Sequence, residues 1–79
     1  MKIELRLYAS LSYYMPRQKD EETTHLEIQE GITVMELLEQ LKVPSDAVKI
    51  VFLNGVHARG DEILNEGDRL GVFPPVAGG

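Results

Sequence analysis

The 79-residue chain contains no cysteine. This absence excludes disulfides, iron–sulfur clusters, thiolate zinc sites and a thiol nucleophile. A domain this small with no disulfide indicates a reducing compartment. Long apolar runs are absent too: no segment approaches the roughly 20 residues of a membrane span, and residues 1–11 do not resemble a signal peptide. We therefore expect one cytoplasmic domain.

Basic residues are scarce in the chain. Eight Lys and Arg residues stand against thirteen Asp and Glu residues, which gives a net charge of −5. Because phosphate backbones are bound by positive charge, this balance disfavours nucleic-acid binding. It favours a basic protein partner, whose association the negative charge would accelerate. The acidic run at residues 20–22 is interpreted as part of a hydrated loop.

Alternating apolar residues predict two strands in the first third of the chain. Ile3, Leu5 and Leu7 share one face of a strand over residues 2–8, and residues 24–29 alternate again. The two strands are expected to form a hairpin.

The connection between these strands is predicted to be a short helix followed by a loop. The helix is expected over residues 10–15, before Pro16, and the solvated loop over residues 17–23. Tyr13, Tyr14 and Met15 are predicted to form a small satellite core under this loop.

A helix is predicted to begin after Thr33. Thr33 and Glu36 match a capping box, in which each side chain accepts a hydrogen bond from the other residue's free N–H. One apolar stripe follows at helical spacing: Val34, Leu37, Leu38 and Leu41. Pro44 cannot continue the helix, so we expect it to end just before this residue.

The second half of the chain predicts three short strands. Residues 48–53 are nearly all apolar, which is typical of a strand buried on both faces. Asn54-Gly55 is a strong hairpin signal, with a return strand over residues 56–59. Residues 63–64 are predicted to add to the core, and residues 69–73 form the last strand.

This order of elements predicts an α+β domain with the β-grasp, or ubiquitin-like, fold. A mixed sheet of about five strands packs on one main helix in this fold. Its first and last strands lie parallel at the centre of the sheet, so the chain leaves the domain from the middle of that sheet. We assign residues 1–73 to the β-grasp domain and residues 74–79 to a flexible C-terminal tail.

The composition of the tail predicts an accessible carboxyl group. Pro74 and Pro75 favour extended backbone and cannot donate to a strand ladder. Gly78 and Gly79 lack Cβ and fit a channel too narrow for side chains. A carboxylate is a poor electrophile, but adenylation by ATP would make the Gly79 carboxyl group an acyl donor. A sulfur nucleophile could then displace AMP and leave a thiocarboxylate.

The last sixteen residues, Leu64 to Gly79, resemble the end of the MoaD/ThiS family of ubiquitin-like sulfur carriers. The ending Pro-Pro-Val-x-Gly-Gly is most similar to MoaD, the small subunit of molybdopterin synthase. The Gly67-Asp68 turn, the Asn54-Gly55 hairpin and the single helix after Gly31 agree with the family pattern, as does the chain length. The resemblance covers essentially the whole chain, and its specific part is this final segment.

The resemblance implies a carrier cycle with three partner proteins. An E1-like activating enzyme of the MoeB/ThiF type adenylates the carrier with ATP, and a sulfurtransferase or persulfide supplies sulfur. The loaded tail then enters a MoaE-like large subunit, which transfers sulfur to a pterin precursor of the molybdenum cofactor. The chain itself is expected to bind no cofactor and no metal, because ATP is used by the activating partner.

The family pattern also assigns roles to individual residues of this chain. The carboxyl group of Gly79 is the one that is adenylated and converted to a thiocarboxylate. Gly78, which has no side chain, lets the activating enzyme approach it closely. The positions assigned to partner binding are Phe73, Pro74, Pro75, Val76, Ala77 and Tyr8. Two residues depart from the pattern, since Arg6 and Gly71 stand in strands where the family usually has apolar or bulkier residues. These departures leave the identity of the partner open.

The remaining polar residues do not predict an active site. His25 and His57 are expected at exposed strand positions, and with no cysteine they do not indicate a metal site. No serine has a base placed to activate it, and nothing supplies an oxyanion site. The chain is therefore expected to act as a carrier or small subunit, with no catalytic residues of its own beyond the C-terminus.

Three other functions remain open from the sequence. The carrier could serve thiamine thiazole synthesis, as ThiS does, or modify protein lysines as ubiquitin does. A different class is a β-grasp interaction module that only binds. An RNA-binding β-grasp domain is disfavoured by the net charge of −5.

Overall fold

The computed structural model describes residues 1–15 and 23–75. The loop predicted over residues 17–23 lies outside these described residues except for Thr23, which begins a strand, and the tail tip, residues 76–79, also lies outside them. Within them the chain forms five strands, one α-helix and two short 3-10 helices. The elements are β1 (Lys2–Leu7), a 3-10 helix (Ala9–Tyr14), β2 (Thr23–Glu27), α1 (Val34–Gln40), a 3-10 helix (Ser45–Ala47), β3 (Ile50–Leu53), β4 (Val56–His57) and β5 (Arg69–Phe73).

The five strands form one mixed sheet in the order β2-β1-β5-β3-β4. β1 and β5 are parallel neighbours at its centre, and the other pairs are antiparallel. This arrangement confirms the α+β fold and the predicted central position of the first and last strands. The chain therefore leaves the sheet at the end of its central strand, β5, which lies between β1 and β3.

One face of the sheet packs in the hydrophobic core with α1. Leu5 of β1 lies opposite Leu70 of β5, and both are almost completely buried. The most deeply buried side chains, all under 2% exposed, are Ile3, Leu5, Leu7, Leu11, Val34, Leu37, Leu64, Leu70 and Val72. All the strand residues in this set belong to β1 and β5. Ile3, Leu5 and Leu7 are the alternating residues of β1, so the pattern predicted the buried face of that strand correctly.

The helix α1 begins with the predicted capping box. The Glu36 N–H donates to Thr33 Oγ1 over 3.2 Å, and the Thr33 N–H donates to Glu36 Oε1 over 3.0 Å. Val34, Leu37 and Leu38 point into the core. The helix ends before Pro44 as predicted, with Leu41 as its C-cap residue.

The strand β3 differs from its prediction. Val51 is buried, but Phe52 is 37% exposed, so the strand is covered on one face only. The single described α-helix protects one side of the sheet, and the apolar residues on the other side of β3 remain accessible. The return strand is also shorter than predicted and covers only Val56–His57. The hairpin turn itself is confirmed, since Asn54 and Gly55 have φ angles of 54° and 82°.

Two core predictions are wrong in part. Leu64 is fully buried, but Ile63 is 56% exposed, because the two neighbours in an extended segment point in opposite directions. Tyr13 is 81% exposed, whereas Met15 is buried and Tyr14 packs partly against the core. The tyrosine rings contact each other edge to face, with centroids 5.2 Å apart.

The segment from Arg59 to Leu64 is tied to the start of α1. Glu62 accepts hydrogen bonds from the Arg59 and Gly60 N–H groups at 2.7 and 2.8 Å. The N–H groups of Val34 and Met35 donate to backbone carbonyls of this segment. The hydrogen bonds from Arg59 and Gly60 hold the pKa of the Glu62 carboxyl below its usual value.

We expect the Glu62→Gln variant to be less stable at pH 7. A carboxyl group with a lowered folded-state pKa stabilises the fold above its unfolded pKa, and this contribution is lost as pH falls through the folded pKa. The difference in melting temperature between variant and wild type should therefore shrink below about pH 4. Thermal unfolding at several pH values measures it. Asp61→Asn, which makes the same charge change one residue away, serves as the control, and an equal effect there would contradict the prediction.

Candidate functional site

The last two residues before the tail, Val72 and Phe73, are hydrogen-bonded in the sheet, and we call them the root of the tail. The Lys49 N–H donates to the Phe73 carbonyl at 2.8 Å, and the Tyr8 N–H donates to the Val72 carbonyl at 3.0 Å. β5 is therefore hydrogen-bonded as far as Val72 on its β1 side and as far as Phe73, its last residue, on the side of Lys49. Pro74 is half-buried and Pro75 is exposed. Because neither proline has an N–H to donate, the ladder cannot continue through them.

The predicted tail residues divide into two groups in the structure. Phe73, Pro74 and Pro75 lie together at the end of the central strand, with Tyr8 beside them. The roles assigned to Val76, Ala77, Gly78 and Gly79 lie outside the described residues and stay predictions.

Tyr8 and Phe73 form a stacked aromatic pair at this root. Their ring centroids are 4.1 Å apart and their planes differ by 7°. Phe52 of β3 meets Phe73 edge to face, with centroids 5.8 Å apart. Aromatic pairs in these geometries contribute beyond their area burial, so the three rings support one another beside the tail.

The two residues that depart from the family pattern belong to this cluster. Arg6 and Gly71 are direct partners in the parallel pair of β1 and β5. The Arg6 Nη1 atom donates to Tyr8 Oη at 3.3 Å, and its guanidinium carbon lies 5.8 Å from the Tyr8 ring centroid. Arg6 therefore lies beside the aromatic stack, within cation–π distance of it.

These residues line a groove on the side of the sheet that lies away from α1. We call this side the open face; its strand residues with described side chains are Lys2, Glu4, Arg6, His25, Glu27, Ile50, Phe52, His57, Arg69, Gly71 and Phe73. The groove has a volume of about 400 Å³ and is lined mainly by Glu4, Arg6, Tyr8, Phe52, Gly71 and Phe73. It begins at the root of the tail.

The histidines lie where the sequence predicted them. His25 and His57 are both exposed on strands, and the His57 ring centroid is 6.1 Å from that of Phe52. Within residues 1–15 and 23–75, no group of three or more metal-binding side chains comes together. In the same part of the chain, no helix is long and apolar enough to cross a membrane.

Sequence reasoning missed Phe52 as a site residue. A continuous apolar strand was taken as buried on both faces, although a sheet with a single helix has only one covered face. The number of predicted helices could have identified Phe52. A single helix covers one face of the sheet, so apolar side chains on the second face stay exposed.

The strand order and the exit of the last strand from the centre of the sheet define a ubiquitin-like domain. A small β-grasp domain holds its final strand at the centre of the sheet, and an accessible aromatic groove adjoins the point where the tail leaves. The model of the ThiS family matches residues 14–79, and the chain belongs to this family. No curated protein is significantly similar to the sequence.

Solved structures of other proteins have a similar fold. SAMP1 from Haloferax volcanii is 26% identical over the full length of both chains, with a TM-score of 0.74. A putative molybdopterin converting factor subunit 1 from Pyrococcus furiosus is also 26% identical, covering 95% of this chain and 98% of its own, with a TM-score of 0.70. A complex of subunits 1 and 2 of the molybdopterin-converting factor from Helicobacter pylori contains a chain 22% identical over the full length of both, with a TM-score of 0.61.

Proposed function

We propose that this protein is a sulfur carrier for molybdopterin synthesis and acts as the small subunit of molybdopterin synthase. The observation that carries the proposal is the position of β5, which delivers a Pro-Pro-Val-Ala-Gly-Gly sequence from the centre of the sheet. Membership of the ThiS family and the similarity to a putative molybdopterin converting factor subunit support it. The absence of cysteine supports a cytoplasmic location.

The reacting group in this proposal is the α-carboxyl group of Gly79. A carboxylate oxygen attacks the α-phosphorus of ATP in the activating enzyme, and pyrophosphate leaves. Hydrosulfide then attacks the acyl carbon, AMP leaves with the C–O bonding electrons, and one proton is released from the thiocarboxylic acid. A persulfide donor delivers the same sulfur atom but needs a thiol reductant to release the thiocarboxylate.

The glycine pair suits this chemistry for a steric reason. An enzyme that adenylates a main-chain carboxyl group must approach its carbon closely, and Cβ atoms at Gly78 and Gly79 would obstruct that approach. Holding the carboxyl group and ATP together in the right orientation removes several kcal/mol from the barrier, about 7–11 in well-oriented cases. The carrier contributes a chain terminus without side chains, and the activating enzyme contributes the catalytic groups.

The proposed partners follow from the same cycle. They are an E1-like activating enzyme, a sulfurtransferase and a MoaE-like large subunit. The Helicobacter pylori structure is a complex of subunits 1 and 2 of a molybdopterin-converting factor, which supports a large subunit as the partner of this chain. Phe73, Pro74, Pro75 and Tyr8 are proposed to contact it, since they lie at the root of the tail.

The experiment is a measurement of intact mass. The protein is incubated with ATP, hydrosulfide and an E1-like activating enzyme, and we expect a mass gain equal to the difference between sulfur and oxygen. Omission of ATP is the control and should abolish the gain. A loaded carrier that then converts a pterin precursor with a MoaE-like subunit would support the molybdopterin role. Absence of any ATP-dependent gain would contradict the carrier function.

A protein modifier is the second candidate, because SAMP1 is similar over the full length of the chain. The same activated Gly79 would then acylate a lysine amine, which forms an isopeptide bond and releases AMP. Conjugates that carry this chain on lysines of other proteins, found by peptide mass analysis, would favour this function. A carrier for thiamine thiazole synthesis would instead pass its sulfur to a thiazole precursor. A β-grasp module that only binds would show neither loading nor conjugates.

A further inference from the structure

The chain contains a single Asn-Gly sequence, Asn54-Gly55, at the turn between β3 and β4. Asparagine before glycine is prone to deamidate, because the glycine nitrogen can attack the side-chain amide carbon and no Cβ obstructs the attack. The product of this attack is a five-membered succinimide ring. Its closure requires Asn54 Cβ and the Gly55 nitrogen to eclipse each other about the Asn54 Cα–C bond. Deamidation at this site therefore depends on the conformation of the turn.

The backbone of the turn prevents ring closure. Leu53 and Val56 are paired, and the two residues between them have φ angles of 54° and 82°, which are typical of a type I′ turn. In this turn the ψ angle of the first central residue is about 30°. At that angle the Gly55 nitrogen lies almost opposite Asn54 Cβ about the Cα–C bond. The succinimide can therefore form only when the turn leaves its folded conformation.

Hydrogen bonds to the start of β5 hold Asn54 in this conformation. Its side-chain Nδ2 donates to Asp68 Oδ1 at 3.0 Å, and its Oδ1 accepts the Arg69 N–H at 2.9 Å. The Asn54 N–H donates to the Arg69 carbonyl at 2.8 Å. Asp68 is fixed in turn, because its Oδ2 accepts the Asn65 N–H at 2.7 Å. Both polar atoms of the amide are therefore bound to the neighbouring segment, and the turn cannot open without losing these bonds.

We propose that Asn54 is a deamidation site that the folded domain protects, with Asp68 as the positioning residue for this protection. The reaction requires the hairpin to open, and β4 is a two-residue edge strand, an element of low local stability. The Gly55 nitrogen then bonds to Asn54 Cγ, its proton passes to the departing amide nitrogen, and ammonia leaves. Water opens the succinimide at either carbonyl carbon, which gives aspartate or isoaspartate at position 54.

The modified chain cannot regain the same contacts. A carboxylate at position 54 would face the Asp68 carboxylate across the 3.0 Å that now separates an amide donor from its acceptor, and like charges at this distance repel. Isoaspartate adds a methylene group to the main chain, which a two-residue turn does not accommodate. Deamidation therefore detaches the hairpin from the start of β5 irreversibly. Phe52 and Gly55 of this hairpin line the groove beside Phe73, so the change alters the groove and leaves the tail sequence intact.

The first test measures the rate of deamidation at Asn54 by peptide mass analysis, at one pH and temperature. We expect wild type unfolded in guanidinium chloride to react about tenfold or more faster than folded wild type. Folded Asp68→Ala should react about tenfold faster than folded wild type, because it lacks a hydrogen bond to a charged group. Glu66→Ala removes a carboxylate from the same turn that accepts from Lys2, and it should match wild type. Equal rates in folded and unfolded wild type, or equal rates in the two variants, would overturn the proposal.

The second test introduces one product of the reaction directly and does not depend on the folding of Asp68→Ala. Asn54→Asp should lower the melting temperature. Asn65→Asp makes the same chemical change at an amide that donates to the Ile63 carbonyl at 3.5 Å, and it should lower the melting temperature less. Adding Asp68→Asn to Asn54→Asp restores a donor and acceptor pair and should recover most of the loss. Adding Glu66→Gln instead gives the same net charge and should not. Equal recovery in both double variants, or recovery in neither, would overturn the proposal.

This inference goes beyond the proposed function and does not rest on it. Neither test uses an activating enzyme or a sulfur donor, and the reacting group lies in the turn between β3 and β4. If Asn54 reacts as expected while Gly79 gains no sulfur, the proposed function fails and the deamidation site stands. If Gly79 gains sulfur while Asn54 reacts equally fast in the folded and unfolded protein, the deamidation proposal fails and the proposed function stands.

Discussion

A variant with one alanine added after Gly79 is expected to form no thiocarboxylate with ATP, hydrosulfide and an E1-like activating enzyme. The extra residue moves the terminal carboxyl group by about 3.5 Å and places a Cβ beside the carbon to be activated. Misplacement of a reacting group by as little as about 1 Å can cost two orders of magnitude in rate. Intact mass of the treated protein gives the result, with wild type as the loaded reference.

Two controls separate the chemistry of the tail from folding of the domain. The extended variant should have the melting temperature of wild type, and so should a variant without Gly78 and Gly79, because the tail is expected to make no core contact. Loading of the extended chain would contradict the role of Gly79, and a large loss of stability on deleting the two glycines would contradict an exposed tail.

The sequence predicted the fold well because its strongest signals are local. The capping box of α1 and the Asn54-Gly55 turn each depend on residues close in sequence, and both form as expected. The alternation of apolar and polar residues in β1 identified its buried face, since successive side chains of a strand point to opposite faces of the sheet. The parallel pairing of β1 with β5 was reached through the β-grasp pattern, and the structure confirms it.

The site was harder to predict, because its contacts join residues far apart in sequence. Tyr8 stacks on Phe73 only because β1 and β5 are neighbours, and the separation of 65 positions hides the pair in the sequence. Arg6 and Gly71 were noticed separately as departures from a family pattern. Their pairing across two strands, which makes them one feature, becomes visible only with the register.

The wrong core predictions have a common physical cause. Phe52, Ile63 and Tyr13 are apolar or aromatic, and each was expected to be covered. A small domain has too little volume to bury every apolar side chain, so some remain at the surface. Phe52 lies in the groove beside the tail, where an exposed ring is a candidate for partner binding.

Leu70→Ala is expected to be the most destabilising of the substitutions considered. Leu70 is 2% exposed and lies opposite Leu5 in the central strand pair that delivers the tail. Truncation of a buried leucine costs about 2–5 kcal/mol because it removes transfer energy and leaves a cavity. Small domains have a free energy of unfolding of about 5–15 kcal/mol, so this loss would be a large fraction of the total. Urea denaturation followed by circular dichroism measures it.

The matched control is Ile63→Ala, which also truncates a large aliphatic side chain. Ile63 is 56% exposed, and we expect its free energy of unfolding to change by about 0.5 kcal/mol or less. At a temperature where Leu70→Ala is partly unfolded, its sulfur loading should fall in proportion to the folded fraction, while Ile63→Ala should load as wild type does. Full loading by an unfolded Leu70→Ala chain would show that the activating enzyme reads the tail alone, and the β-grasp domain would then have no part in presenting it.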